Sequence, residues 1–128
     1  MTPETSFFET RIATSETDLL AAQRLRYRVF VEELGGDGAL VDHAARLERD
    51  EFDPVVDHLV LVDNRRSRDD LDHVVGAYRL LRSEQAERFG RFYCDSEYDL
   101  STLRASGRSM LELGRSCVDP AYRGGSGM

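Results

Sequence analysis

The chain has 128 residues, 41% of them hydrophobic, and a formal net charge of -7. That length allows a single domain over residues 1–128, or part of one, and the apolar fraction excludes a disordered chain. The negative balance argues against a general nucleic-acid binder, which needs a basic face to neutralise phosphates.

Two cysteines, Cys94 and Cys117, are too few for a disulfide framework. Neither has a CxxC or His-rich context, so no metal site is expected. The first residues lack the basic-then-apolar order of a signal peptide, and no apolar run approaches the ~20 residues that span a bilayer. The expectation is a cytoplasmic protein that can still touch a membrane face.

Residues 7–13 read as a strand, with Phe8 and Ile12 among its apolar positions. Ser15 and Asp18 resemble a capping box with Asp in place of Glu. A helix is predicted over 16–34, stopped by Gly35-Gly36. Leu19, Ala22, Val29 and Phe30 share one of its faces at helical spacing. Arg26 lies one turn before Phe30, on or beside that face, where it needs a carboxylate or a solvent opening. With Arg24 and Arg28 it makes a basic cluster that could meet an acidic partner. Arg65, Arg66 and Arg68 fall in a polar turn and read as solvated.

Residues 36–57 form a long polar stretch without a clear period, which marks a functional or mobile loop. It carries Asp50 and Asp53, with Pro54 as a breaker. Residues 58–63 and 73–81 are strands joined by a hairpin loop at 64–72. Residues 83–89 make a short helix closed by Gly90. Phe92, Tyr98 and Leu100 mark an irregular aromatic stretch, and 110–118 is the last strand. Asp119-Pro120 ends it. Arg123 and the run Gly124-Gly125-Ser126-Gly127 follow, a kind of turn that presents backbone N–H groups to a phosphate or a polar cofactor arm. Such a turn ordinarily opens a helix and none follows, so a truncated domain is expected. The element order is an α/β pattern with an antiparallel front half, without strict βαβ alternation.

Arg26, Asp50, Asp53, Arg79, Glu112 and Arg115 recur inside or beside apolar elements. A lone buried charge is costly, so each should pair or line a cavity. Strict alternation separates Glu112 from Arg115, and only a bulge, easiest at Gly114, would bring them to one face. Spacing alone favours an ion-pair network fixing helix to sheet over direct catalysis by these residues. His43, His58 and His73 lack ligand spacing and read as strand-edge or loop residues. Cys117 reads as a small core residue with no basic neighbour to activate it, and Ser116 lacks the GxSxG context of a hydrolase.

Five blocks occur in order: LRYRVFVEELGG at 25–36, DEFDPVVDHLVLVD at 50–63, VVGAYRLL at 74–81, FYCDSEYDL at 92–100 and LELGRSCVDPAYRGG at 111–125. Together they resemble the ornithine acyl-carrier-protein N-acyltransferases, bacterial relatives of the GNAT acyltransferases that make lyso-ornithine lipid. The resemblance implies the N-terminal part of a GNAT-like fold, a mixed, mostly antiparallel sheet with flanking helices. The same skeleton is similar to acyl-homoserine-lactone synthases, which share residues matching Arg26, Phe30, Asp50, Asp53, Arg79, Glu112 and Arg115. Those synthases usually carry a tryptophan near the position of Gly36 and read ELSR where this chain reads ELGR. The chain has no tryptophan, which favours the ornithine branch.

The implied reaction is attack by the α-amino group of L-ornithine on a 3-hydroxyacyl thioester of acyl carrier protein. No cofactor would be bound permanently, since the acyl-phosphopantetheine arm arrives with the carrier as co-substrate. The resemblance implies Glu112 near the amine, with backbone N–H groups at Cys117 and Val118 for the oxyanion. Arg26, Phe30, Asp50, Asp53, Arg79 and Arg115 would position substrate, and Arg123, Gly124, Gly125, Ser126 and Gly127 would hold the arm. The partners would be acyl carrier protein and L-ornithine, with no nucleic acid, and peripheral contact at the inner membrane face is allowed. The alternatives are lactone synthesis from S-adenosylmethionine and a non-catalytic carrier-binding module. The 128 residues alone are expected to be inactive and marginally stable, with 119–128 at an open, unsupported edge.

Overall fold

The computed structural model describes residues 7–90 and 111–123. Strand β1 (Phe8–Ile12) leads into helix α1 (Glu16–Arg26), which continues as a π-helical segment (Tyr27–Glu33). After the long loop come β2 (Asp57–Asp63), β3 (Val74–Arg82), helix α2 (Ser83–Phe89), β4 (Leu111–Val118) and a 3₁₀ turn (Pro120–Tyr122). The strands form one antiparallel sheet in the order β1-β2-β3-β4. Phe92, Cys94, Tyr98, Leu100, Met110 and the glycine run at 124–127 lie outside the described residues.

The predicted elements stand within a residue or two, and the helix shows two departures. Ser15 Oγ accepts from Asp18 N at 3.1 Å, as a cap should. The Asp18 carboxylate does not complete the box, however, because it faces Arg11 and His73 instead. Beyond Arg26 the winding widens, with Leu34 N donating to Val29 O at 3.1 Å. Gly35 then takes φ +75°, a conformation that spares glycine the Cβ clash other residues meet.

Alternation on β2 and β3 points Val60, Val62 and Ala77 at α1, where they pack with Ala21, Ala22, Leu25, Val29, Val74 and Cys117. Burying each such valine or leucine contributes about 1.5–3 kcal/mol. A second cluster, Phe52, Leu81 and Ala86, lies under α2 and the long loop. On β3, Arg79 falls between Ala77 of the first cluster and Leu81 of the second, on the same face. Charge therefore runs between two apolar cores.

The histidines stand in loops or at a strand end, as expected, and the structure adds the burial of two of them. His43 is in the loop, but His58 and His73 are buried. His58 lies within β2, an interior strand of the sheet, and its Nε2 is 3.0 Å from Asp53 O. His73 Nε2 is 2.9 Å from Asp18 Oδ1, joining the start of β3 to the start of α1. One bonded nitrogen on each ring offsets part of the cost of burial, with His73 Nδ1 left without a hydrogen-bond partner, and no spacing rule reveals such partners.

Candidate functional site

The long loop, aperiodic in sequence, supplies the carboxylates that the buried arginines require. Arg26, 1% exposed, donates from Nε to Glu48 Oε1 at 2.8 Å and from Nη2 to Asp53 Oδ2 at 2.7 Å. Arg79 Nη1 reaches Asp53 Oδ1 at 2.8 Å and also pairs with Asp50. Arg115 Nη2 lies 3.0 Å from Glu48 Oε2. The order Arg115, Glu48, Arg26, Asp53, Arg79, Asp50 thus alternates in charge from β4 through α1 to β3. Gln23 Nε2 adds a further bond to Asp53 Oδ2 at 2.8 Å.

Burial opposes ionisation of Asp53, but the charges of Arg26 and Arg79 outweigh it and hold the carboxyl below its ordinary range. Burial likewise opposes charge on Arg26, and Asp53 and Glu48 override it. Of the basic cluster only Arg26 is buried, and Arg24 and Arg28 are half-buried and bonded within the chain. Arg24 bonds the carbonyls of Ala45 and Arg46, and Arg28 bonds Asp119.

A bulge in β4 decides what shares a face with this chain of charges. Ala77 pairs with Cys117 and Arg79 with Gly114, so Arg115 and Ser116 together oppose Tyr78. Arg115 takes φ +50° there. The extra residue brings Arg115 to the helix-facing side occupied by Glu112, the partner of Leu81. The bulge expected beside Gly114 is present, one residue later.

Glu112, Arg79 and Arg115 line a small cleft of about 70 Å³ with Phe52, Val56, Leu81, Leu113 and Gly114. Phe52 and Arg115 also line a second hollow of about 380 Å³, walled by residues of the long loop including Asp50 and Glu51. Phe30 packs against the core, with its ring 5.0 Å from the Arg115 guanidinium.

The strand register separates the two backbone candidates. Asp119 N donates to Val75 O at 2.8 Å, so Val75–Asp119 and, two residues on, Ala77–Cys117 are hydrogen-bonded pairs. Cys117 N–H is therefore directed into the ladder, which removes it as an oxyanion donor. Both backbone groups of Val118 point to the outer edge of β4. Its carbonyl accepts from Arg123 Nε at 3.0 Å on that edge. The Cys117 thiol is buried, and burial pushes its pKa up to about 12, the reverse of nucleophile activation.

Residues 119–123, the described part of the segment expected to be an unsupported edge, are anchored, and 124–128 lie outside the described residues. Arg123 makes a two-pronged pair with Glu33 at 2.7 and 2.8 Å. Tyr122 donates to Asp63 at 2.6 Å, and Asp119 pairs with Arg28 and Arg66. Arg65 is exposed, as expected of a solvated turn, while paired with Asp63, and the half-buried Arg66 is committed to Asp119 and Asp72. Uncommon π turns often accompany functional sites. Here that segment carries Arg28, Phe30 and Glu33, which touch Asp119, Arg115 and Arg123 in turn.

Sequence reasoning missed Glu48, Gln23 and Asp119. Glu48 sits in the charged run RLERDE, which looks like a solvated face, and no period in 36–57 signals its inward turn. Among the described residues no group of three or more His, Cys, Asp or Glu could hold a metal ion, and no helix is long and apolar enough to cross a membrane.

The described residues thus form an antiparallel sheet whose bulged fourth strand leads into a turn carrying Arg123, beside a cleft lined by Glu112, Arg79 and Arg115. The chain belongs to the acetyltransferase (GNAT) domain family, whose model matches residues 25–128. It is 64% identical over 121 residues to a protein of Rhodobacter capsulatus named L-ornithine N(alpha)-acyltransferase, covering 94% of this chain and 47% of that protein. Proteins of the same name from Brucella abortus and Rhizobium meliloti are 43% and 44% identical over 117 residues, each covering 90% of this chain and 42% and 40% of their own lengths. The chain thus spans about half the length of the curated relatives it matches. No solved structure matches it.

Proposed function

We propose that the chain is part of an L-ornithine N(alpha)-acyltransferase, taking a 3-hydroxyacyl group from acyl carrier protein and producing lyso-ornithine lipid. The observation that carries this reading is the 64% identity over nearly the whole chain to a protein of that name. The charged cleft beside β4, the last strand of the sheet among the described residues, suits the chemistry.

The α-amino nitrogen attacks the thioester carbonyl, a C–N bond forms, and the C–S bond breaks. The ammonium must first lose a proton, and Glu112 is the carboxylate in the cleft placed to accept it or to anchor the cation. Negative charge developing on the carbonyl oxygen meets Val118 N–H, which the register directs to the outer edge. As the tetrahedral intermediate collapses, the nitrogen sheds its second proton, which the departing thiolate takes to leave as the carrier thiol. Arg123, at the same edge, is suited to the phosphodiester of the carrier's arm. Arg26, Arg79, Asp50 and Asp53 hold the cleft wall in place.

The test uses a protein of the relatives' full length that contains this chain, supplied with 3-hydroxyacyl-carrier protein and L-ornithine and read by mass spectrometry. N-acylated ornithine with release of free carrier is expected. An acyl-homoserine lactone made from S-adenosylmethionine, or carrier binding with no turnover, would overturn the reading.

A further inference from the structure

The turn from Asp119 to Arg123 is held far more firmly than a three-residue 3₁₀ turn begun by a proline requires. Asp119 is 4% exposed, and its carboxylate serves three donors from three parts of the chain. Oδ1 caps the turn by accepting from Ala121 N at 2.9 Å. Oδ2 accepts from Arg28 Nη2 of the π segment at 2.8 Å and from Arg66 Nη1 of the β2–β3 loop at 2.9 Å. The same two arginines also face Asp72, at 3.5 and 3.0 Å, so two cations and two anions form a closed square. A second clamp follows three residues later, where Tyr122 donates to Asp63, itself gripped by both arms of Arg65. Arg123 then returns to Val118 O and Glu33.

A buried carboxylate between two guanidiniums resists displacement, since losing a partner leaves its charge less compensated out of water. The arrangement leaves little freedom in the path from Val118 to Arg123.

We infer that Asp119, clamped by Arg28 and Arg66, is a positioning residue that sets Arg123 relative to Val118 N–H. On the function proposed above, these are the two ends of the donor's recognition: phosphate at Arg123 and thioester carbonyl at Val118. Asp119 touches neither end and acts through the turn. Its contribution is therefore confined to donors that carry the phosphate.

The experiment compares two small donors, a 3-hydroxyacyl thioester of phosphopantetheine and the same thioester of pantetheine without phosphate. It uses the full-length protein with L-ornithine as acceptor. The parent is expected to prefer the phosphorylated donor. In Asp119→Asn, kcat/KM for that donor should fall about ten- to a hundredfold, the scale of a misplacement near 1 Å. The unphosphorylated donor and the KM for ornithine should stay within about twofold, because uniform binding to the acceptor is untouched.

Equal losses for both donors, or no loss for either, would overturn the positioning role while leaving the proposed reaction standing. A parent that transfers from both donors without preference would remove Arg123 from donor recognition and the inference with it. A parent that acylates no ornithine would overturn the reaction itself. Should Asp119→Asn lack a cooperative urea transition, Arg66→Gln, which loosens the clamp from the hairpin side, is read by the same donor ratio and the same outcomes.

Discussion

Replacing Asp53 with asparagine removes one negative charge and almost no volume from the centre of the ion chain. Four bonds converge on that carboxylate: two from Arg26 Nη2, one from Arg79 Nη1 and one from Gln23 Nε2. In Asp53→Asn an amide NH₂ must face donors on whichever side it takes, so at least one N–H meets another. Arg26 and Arg79 are 1% and 5% exposed and would share less compensating charge. Breaking a buried pair from one side costs about 3–5 kcal/mol, a large part of the roughly 5–15 kcal/mol that a domain has. Asp50, which meets Arg79 with a side chain 24% exposed, is the control. Asp50→Asn should cost about 1 kcal/mol, near the range for solvated pairs. With a urea m-value of about 1–3 kcal/mol/M, Asp53→Asn lowers the midpoint by about 1 M or more. Equal midpoint shifts for the two variants, at unchanged m, would refute the claim that the charge is held by burial.

Glu112→Gln should lower kcat of the full-length protein about a hundred- to ten-thousandfold at saturating L-ornithine, the usual worth of a positioned proton acceptor; turnover within a few-fold of the parent would end that role. Cys117→Ala should keep turnover within a few-fold, since the thiol is a buried core group, and abolition of transfer would return the cysteine to the mechanism. At position 115, where φ is +50°, Arg115→Gly should be more stable than Arg115→Ala by about 1 kcal/mol in urea titration, and the ordinary strand preference for alanine would disprove the bulge. Acid stability should fall in two stages. His58 is held below its ordinary pKa by burial, so its contribution is complete above about pH 6.5 and declines as the pH drops below it, when the unfolded chain binds the proton first. Asp18, held at about 2 chiefly by the hydrogen bond from Arg11, contributes above about pH 4 and loses that contribution as pH falls towards the folded value. Melting temperatures from pH 7 to 2 in the parent, His58→Gln and Arg11→Met check both, and an upper stage that persists in His58→Gln would contradict the assignment.

Local chemistry made the strands and helices legible in the sequence, and five ordered blocks carried the family resemblance. Ser15, Gly35 and Gly90 act within a few residues of their own position, and apolar alternation on β2 and β3 follows from the pleat. Even the bulge in β4 was readable, because Glu112 and Arg115 could share a face in no other way and Gly114 made it easy. Residues 36–57 were not legible. Glu48, Asp50 and Asp53 face inward only because Arg26, Arg79 and Arg115 are buried in elements distant in sequence, and a charge run has no period to announce its partner. The burial of His58 and His73 was hidden for the same reason, since tertiary folding brings an oxygen to one nitrogen of each. The choice of Val118 over Cys117 rests on which residues of β4 bond to β3, a matter of register set by the whole sheet. Short-range sterics and solvation write themselves into neighbouring residues, whereas the pairing of buried charges is a property of the assembled fold.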